Sequence, residues 1–341
     1  MIPYAIITGK RLNEGRIKTV TLSKLAQLAN VSVSVVSKAF SGREDVSDAM
    51  REHVFAVARE HGCFQQFYHA PYDKPVVAVI IPEAISGFYI RYVEVLKQAF
   101  EERGYTLLLS ISNFDPQMVE ELVRYYTAHG KVDALVSVGN IQRIPEKTDT
   151  AVICIDGAQK EPIATNCYRI KHILATGLED ALLHLKKSGR KRIAYVGEPL
   201  TMRKEPLLRK IMEQTGLPVY DEYFICSRMR FLDAGRDGIE KLWQLSEKPD
   251  AIFGSYREIT TGMLYALEER GVSVPKDVAV IAMNNDPAPI HPTLDVSCID
   301  SGIVPICAEV MRLLDETVRV SPPPKPRIVS VPSVFHIGKT T

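Results

Sequence analysis

Apolar residues near the start of the chain repeat at the spacing of two short helices. Thr21 and Ser32 stand just before these repeats, where a side-chain oxygen can cap a helix N-terminus, and Asn30 with Val31 predicts a tight turn between them. The two sets of apolar positions are Leu22, Leu25, Ala26 and Ala29, and then Val33, Val36, Ala39 and Phe40. The pattern therefore predicts two helices joined by a short turn within residues 21–42.

Polar side chains occupy the other face of the second predicted helix, at Ser34, Ser37 and Lys38. This arrangement is typical of a helix-turn-helix, in which the second helix presents side chains to base edges. A plain helical hairpin inside a larger core is the alternative, but the run of Val and Ser is too polar for a wholly buried helix. A third helix is expected from Ser47 to Gly62, which gives a small all-α head over residues 20–62.

From residue 76 onward, continuous apolar runs alternate with segments of helical spacing. Strands are predicted at 76–82, 105–112, 133–138 and 151–156, with helices at 88–103 and 115–129. The alternation then begins again, with strands at 192–197, 223–226, 250–254 and 278–283, helices at 176–188, 205–215, 234–245 and 260–270, and a last strand at 327–331 after the prolines at 322–324. The prediction is an α/β body over 76–341, made of two doubly wound subdomains whose strand ends face each other across a ligand cleft.

Composition adds limits to this picture. The 341 residues carry a net charge of +1, so nothing attracts the whole chain to nucleic acid, and the six cysteines are scattered as free thiols with no zinc-site spacing. The charges of the predicted head also balance, so we expect phosphate binding by one head to be weak and dimerisation to strengthen it. There is no apolar run of membrane-spanning length and no secretion signal, which favours a cytoplasmic protein.

Residues 1–19 match neither the head nor the body. One interpretation is a disordered tail whose Lys10, Arg11, Arg16 and Lys18 contact DNA phosphates. The other is that the segment is not translated, because the codons of residues 14–16 can spell a ribosome-binding sequence ahead of a GTG start at Val20. Both interpretations stay open.

The motifs together resemble the LacI/GalR family of bacterial transcription regulators over about 21–338. The resemblance rests on TLSKLAQLANVSVSVVSKAFSG at residues 21–42, HLKKSGRKRIAYVG at 184–197, PDAIFGS at 249–255 and ERGVSVPKDVAVIAMNND at 269–286. It implies a homodimer that binds a near-palindromic DNA operator, with a periplasmic-binding-protein-like body that takes a small effector and no cofactor. Effector binding then changes operator affinity, and repression is the family's usual mode.

The resemblance also implies which head residues meet DNA. The recognition helix starts near Ser32, with Val33, Ser34 and Lys38 facing the bases, and Lys38 stands where the family usually has Arg. The full set expected at DNA is Thr21, Ser23, Ser32, Val33, Ser34, Ser37 and Lys38, although any of them can be an ordinary solvated surface residue instead.

The segment between head and body departs from the family pattern. Residues 63–75, CFQQFYHAPYDKP, lack the NxxARxL sequence of the family's hinge helix and contain Pro71. An aromatic wedge into the minor groove from Phe64, Phe67 or Tyr68 is one interpretation, and a plain linker is the other.

The cleft residues also depart from the sugar-binding members of the family. Ser86, Phe88 and Tyr89 align with the cleft mouth, and Arg203 or Lys204 falls near a ligand-contacting arginine. The remaining positions implied by the resemblance are Tyr256, Arg257 and Asn284, where those members carry acidic or amide side chains. The loss of acceptors and the gain of a base favour an anionic effector, such as a sugar phosphate or organic acid. The alternative is that Arg257 pairs with a local carboxylate and binds nothing.

Other classes of protein fit the sequence less well. The chain contains no GxGxxG, GxxxxGK[ST], HExxH or GxSxG motif, and the scattered His129, His172, His184 and His291 lack a nearby nucleophile in sequence, so no enzyme activity and no catalytic or metal-binding residues are predicted. A solute-binding protein of a transporter is the alternative that the body alone would allow. The attached helix-turn-helix and the missing signal peptide argue against it.

Overall fold

The computed structural model describes residues 20–43, 45–68, 72–129, 132–144, 148–155, 166–285, 295–318, 325 and 327–341, and the side chains of 284 and 285 are not included. The two interpretations of residues 1–19 therefore concern a segment outside the described residues, as does Pro71. The chain divides into two compact units, Met1–Asp73 and Lys74–Thr341.

The head contains the three predicted helices, α1 (Leu22–Leu28), α2 (Val33–Phe40) and α3 (Asp48–Glu60). Side-chain oxygens of Thr21, Ser32 and Ser47 each accept a hydrogen bond from the backbone N–H three residues later, which satisfies donors that a helix start leaves unpaired. Asn30 takes a φ of 54° in the turn between α1 and α2. The helices enclose a small core of Leu25, Ala26, Ala29, Val36, Ala39, Val46, Val54, Phe55 and Ala58.

A fourth helical turn, α4 (Phe64–Phe67), completes the head core. The Phe64 ring lies 5.2 Å from that of Phe55, and the Phe67 ring lies 5.6 Å from that of Phe40. The Arg59 guanidinium covers Phe64 at 4.5 Å, and the side-chain amide of Gln66 donates to the Val20 carbonyl at 2.7 Å. The residues immediately after Gly62 are therefore packed against the three helices.

The body is built on two six-stranded sheets. The first contains β1 (Val76–Ile81), β2 (Thr106–Ile111), β3 (Ala134–Val138), β4 (Ala151–Ile155), β5 (Cys167–Ile173) and β11 (Ile328–Pro332), in the order β11-β5-β4-β3-β1-β2, and every neighbouring pair is parallel. The second contains β6 (Ile193–Gly197), β7 (Phe224–Cys226), β8 (Ala251–Gly254), β9 (Ala279–Asn285), β10 (Ser297–Asp300) and β12 (Phe335–His336), in the order β12-β10-β9-β8-β6-β7, and only β12 is antiparallel to its neighbour.

Helices cover the faces of both sheets, as the buried apolar strands require. They are α5 (Gly87–Arg103), α6 (Pro116–Ala128), α7 (Leu174–Lys187), α8 (Glu205–Gln214), α9 (Phe231–Gln244), α10 (Arg257–Glu269) and α11 (Ile303–Val318). Helix α11 packs in the core of the first sheet although it follows β10 of the second. The chain therefore passes between the subdomains three times, and the predicted class of head plus two doubly wound subdomains is confirmed.

Four elements of the body were not predicted, namely β5, β10, α11 and β12. Arg169, Lys171 and His172 interrupt the apolar pattern of β5, and β10 and β12 are too short to show a period. The six cysteines all lie within the described residues, where none of them forms a disulfide bond, and only Cys226 is exposed. No helix within the described residues combines the length and hydropathy needed to cross a membrane.

Candidate functional site

The predicted DNA-contacting residues lie on α2 and at the start of α1. Thr21, Ser23, Ser32, Val33, Ser34 and Ser37 are exposed, and Lys38 is half-buried. The buried side of α2 is formed by Val36 and Ala39, so its outward side is polar apart from Val33. The structure brings these residues to the surface that a helix-turn-helix uses, and their roles at DNA stay predictions.

Lys38 already has a partner on the head. Its ammonium nitrogen Nζ lies 2.5 Å from Oδ2 of Asp45, which belongs to the turn between α2 and α3. The hydrogen bond from Lys38 holds the pKa of the Asp45 carboxyl below its usual range. To contact a base, Lys38 must therefore leave Asp45, a competition that the sequence pattern did not reveal.

The body contains a cavity of about 300 Å³ between its two subdomains. It is lined by the loops that follow β1, β2 and β3 in the first sheet and β6, β7 and β8 in the second, where parallel α/β sheets bind ligands. Five of the predicted effector residues line this cavity, namely Ser86, Phe88, Tyr89, Arg203 and Tyr256.

The other two predicted effector residues differ. Arg257 is the first residue of α10, next to the N-cap Tyr256, and it is not among the residues that line the cavity. Its contact with an effector stays a prediction. The side chain of Asn284 lies outside the described residues.

Three charged residues that the sequence analysis missed connect the two subdomains across the cavity. Arg230 donates from Nη1 and Nη2 to the two carboxylate oxygens of Glu83, at 2.9 Å each, and from Nε to Glu198 at 3.2 Å. Glu83 follows β1, whereas Glu198 and Arg230 follow β6 and β7. Their positions after three strand ends are the signal that could have identified them.

The two carboxylates of this ion cluster are largely withdrawn from solvent, whereas the Arg230 side chain is 36% exposed. Glu83 is 7% exposed and Glu198 is 2% exposed, and these buried carboxylates need a charged partner. The hydrogen bonds to Glu83 are the main cause of a raised pKa of the Arg230 guanidinium, which therefore stays positively charged at physiological pH.

Charged side chains of both signs line the cavity. The cavity is lined by three carboxylates and three cations, namely Glu83, Asp115, Glu198, Arg203, Lys204 and Arg230. Lys204 donates to the Ser255 carbonyl at 2.6 Å, and Asp115 caps α6 by accepting from Gln117. Arg203 is exposed, and no hydrogen bond or ion pair links its side chain to any other described residue.

Aromatic rings form part of both sides of the cavity. In the first subdomain the ring of Tyr89 lies 5.1 Å from Phe88 and 5.9 Å from Phe114. In the second, the N–H of Phe231 donates to the Tyr256 hydroxyl at 3.2 Å, and burial raises the pKa of that hydroxyl.

Phe114 and Phe231 share an uncommon backbone conformation, with φ values of 59° and 56°. Such values are rare for bulky residues, and strain of this kind concentrates at functional sites. Both rings line the cavity. The strained backbone therefore supports the cavity as a ligand site.

The two units together define a class of protein: a helix-turn-helix head joined to a ligand-binding α/β body. Two family models match the chain, one for bacterial regulatory proteins of the lacI family over residues 21–64 and one for periplasmic binding protein-like domains over residues 182–341. The chain therefore carries a LacI-family DNA-binding domain followed by a periplasmic-binding-protein-like domain.

Individual relatives agree with this assignment. The chain is 27% identical to catabolite control protein A of Priestia megaterium over 312 residues, which cover 86% of this chain and 91% of the relative. It is 23% identical to the HTH-type transcriptional repressor CytR of Escherichia coli K12 over 285 residues, covering 78% and 80%.

Solved structures show the same fold. A complex of the transcriptional regulator CelR with cellobiose matches 94% of this chain and 99% of its own with a TM-score of 0.65 at 19% identity. A LacI-family regulator from Silicibacter pomeroyi matches 94% and 98% with a TM-score of 0.67 at 20% identity. The predictions of the family, of a DNA-binding regulator and of a protein that is not an enzyme are confirmed, and the transporter alternative is not favoured.

Proposed function

We propose that this chain is a homodimeric, cytoplasmic repressor that binds a near-palindromic operator and responds to a small anionic effector. The observation that carries the proposal is the combination, in one chain, of an exposed polar helix α2 and a cavity at the strand ends of the body. Two heads are needed because the charges of one head nearly cancel, and a dimer doubles the phosphate contacts.

On the operator, Ser34 and Lys38 contact base edges and Val33 makes apolar contact, for instance with a thymine methyl group. Thr21, Ser23, Ser32 and Ser37 contact phosphates. The side-chain oxygens of Thr21 and Ser32 accept from Lys24 and Val35 within the head, so each hydroxyl hydrogen stays available for a phosphate oxygen.

The residues after Gly62 act as part of the head rather than as an aromatic wedge. Phe64 and Phe67 pack against the head core, and the ring of Tyr68 stacks on Phe64 at 4.6 Å. Insertion of these rings between base pairs would remove them from the core, at a cost in head stability. This packing supports the plain-linker interpretation for the residues that follow α4.

The anionic group of the effector is held by Arg203. Arg230 is the other arginine of the cavity, but its donors already serve Glu83 and Glu198. Exposed Arg203 can supply a two-pronged contact to a carboxylate or phosphate. The aromatic rings of Phe88, Tyr89 and Phe231 offer apolar surface to the rest of the ligand.

The test is an effector screen on the full chain bound to a DNA duplex obtained by operator selection. Neutral sugars, their phosphates and small organic acids are titrated, and operator affinity is followed by fluorescence anisotropy. We expect anionic compounds to change operator affinity by about 5- to 150-fold, the usual range of such coupling. A change with neutral sugars alone would reject the anionic effector, and no change with any compound would reject effector control.

A further inference from the structure

We propose that Glu83, Arg230 and Glu198 form an ion clamp that holds the two subdomains closed when no effector is bound. The effect of closure on operator affinity rests on the proposed function. The connection between the two subdomains rests only on contacts within the body.

One contact of the clamp lies within the second subdomain, and the other two join the two subdomains. Glu198 and Arg230 belong to the second subdomain, where Nε of Arg230 donates to Glu198 at 3.2 Å. The two remaining ends of the guanidinium reach Glu83 of the first subdomain at 2.9 Å each. A two-pronged contact of this kind fixes orientation as well as distance, so the fork can form only when the subdomains are close.

Burial makes the clamp sensitive to the loss of either partner. Glu83 and Glu198 have side chains only 9% and 2% exposed, and Arg230 is the positive charge that both contact. Without that charge, two buried carboxylates would face each other at the cavity, and separation of the subdomains would let both become hydrated. Arg230 is therefore a positioning residue that sets the balance between open and closed bodies.

A second contact crosses the cleft near the clamp. The backbone N–H of Gly87, at the start of α5, donates to Oε1 of Glu258 at 3.1 Å. A side-chain carbon placed on Gly87 would lie 3.0 Å from the same oxygen, so the subdomains approach closely at this point. A second carboxylate contact, in addition to the clamp, thus joins the two subdomains.

The test compares two Glu→Gln variants of the full chain. Glu83→Gln removes the fork between subdomains and leaves Arg230 paired with Glu198. Glu269→Gln is the matched control, because Arg236 donates a similar fork to Glu269 at 2.7 and 2.9 Å, with both residues in the second subdomain. Spin labels are attached at Gln98→Cys and Glu240→Cys, which are exposed positions on α5 and α9, in a Cys226→Ser background.

Double electron–electron resonance spectroscopy then measures the distance between the two spin labels. Labelled protein is diluted in unlabelled protein so that only distances within one chain are recorded. We expect a single short distance in the parent and in Glu269→Gln. In Glu83→Gln the ratio of open to closed bodies rises about 10- to 100-fold, as expected for the loss of charge-assisted hydrogen bonds. An unchanged distribution in Glu83→Gln, or the same opening in Glu269→Gln, would overturn the clamp.

The experiment includes a substitute variant and a measurement of operator affinity. If Glu83→Gln does not fold, as judged by circular dichroism, Arg230→Lys replaces it, because lysine keeps the charge but cannot make the fork. Operator affinity without effector is measured on the same proteins. An opened cleft with unchanged operator affinity leaves the clamp standing and contradicts the coupling in the proposed function, so the two failures can be told apart.

Discussion

The ammonium group of Lys38, on the helix that we expect to meet DNA, lies 2.5 Å from the carboxylate of Asp45. Both side chains are partly exposed, so the pair is weak, and DNA phosphates and bases can displace Asp45. The head thus carries its own competitor for a residue predicted to read the operator.

Asp45→Asn should raise operator affinity, by about 1 kcal/mol or less, because the substitution removes a weak exposed ion pair that competes with DNA for Lys38. The measurement is an anisotropy titration of the selected operator at fixed salt. Asp48→Asn is the control for general loss of negative charge, since no ion pair joins Asp48 to another described residue. Equal gains from both substitutions would show that net charge alone is responsible.

Lys38→Ala should weaken binding to the operator by about 1–3 kcal/mol, the usual worth of a specific base contact. Lys24→Ala, at an exposed position of α1, serves as the comparison for loss of one positive charge. Binding to unrelated DNA should fall much less than binding to the operator in Lys38→Ala. A uniform loss on all DNA sequences would identify Lys38 as a phosphate contact instead.

Arg203→Gln should reduce affinity for an anionic effector by about 1.5–3 kcal/mol, the contribution of a hydrogen bond to a charged group. Operator binding without effector should stay unchanged. The matched control is Lys210→Gln, an exposed cation of α8 outside the cavity lining. Isothermal titration calorimetry measures the affinity of each variant for the effector found in the screen. Similar affinity in both variants would show that Arg203 does not contact the effector.

Phe64→Ala should lower the free energy of unfolding of the head by about 2 kcal/mol, less than for a fully buried ring because Phe64 is half-buried. The ring contacts Phe40, Phe55, Tyr68 and the Arg59 guanidinium, and all four contacts are lost. Chemical denaturation of the full chain, followed by probes in the head, measures the change. Tyr72→Ala, at a 62% exposed ring, is the control. Unchanged stability together with lost DNA bending would favour the aromatic-wedge interpretation.

The regular parts of the fold followed from local patterns, and the site did so only in part. Helix caps at Thr21, Ser32 and Ser47 and continuous apolar runs such as β1 and β4 carry their information within a few residues. Strand β5 was not predicted, because Arg169 and Lys171 interrupt its pattern of apolar residues. Helix α4 was not predicted, because its stability comes from packing on Phe40 and Phe55, and the apolar periodicity of a short segment does not reveal such contacts.

The cleft shows the same limit. A resemblance to relatives placed Ser86, Phe88, Tyr89, Arg203 and Tyr256 near the cavity, because these residues directly follow strands or begin helices. The resemblance could not distinguish Arg257, which does not line the cavity, from its neighbour Tyr256, which does, since a shift of one residue at a helix start decides which side chain enters the cavity. It also did not identify Arg230 as a cavity residue. The pairing of Arg230 with Glu83 joins residues 147 positions apart, and only the folded subdomains bring them together.

Sequence-specific binding by the head is tested by comparing two duplexes of equal composition. The full chain is used to select sequences from random DNA, and the selected duplex is titrated beside a scrambled one at two salt concentrations. We predict a preference of at least about a thousand-fold for the selected duplex, with both affinities falling as salt rises. Equal affinity for the selected and the scrambled duplex would show that the head does not read DNA sequence.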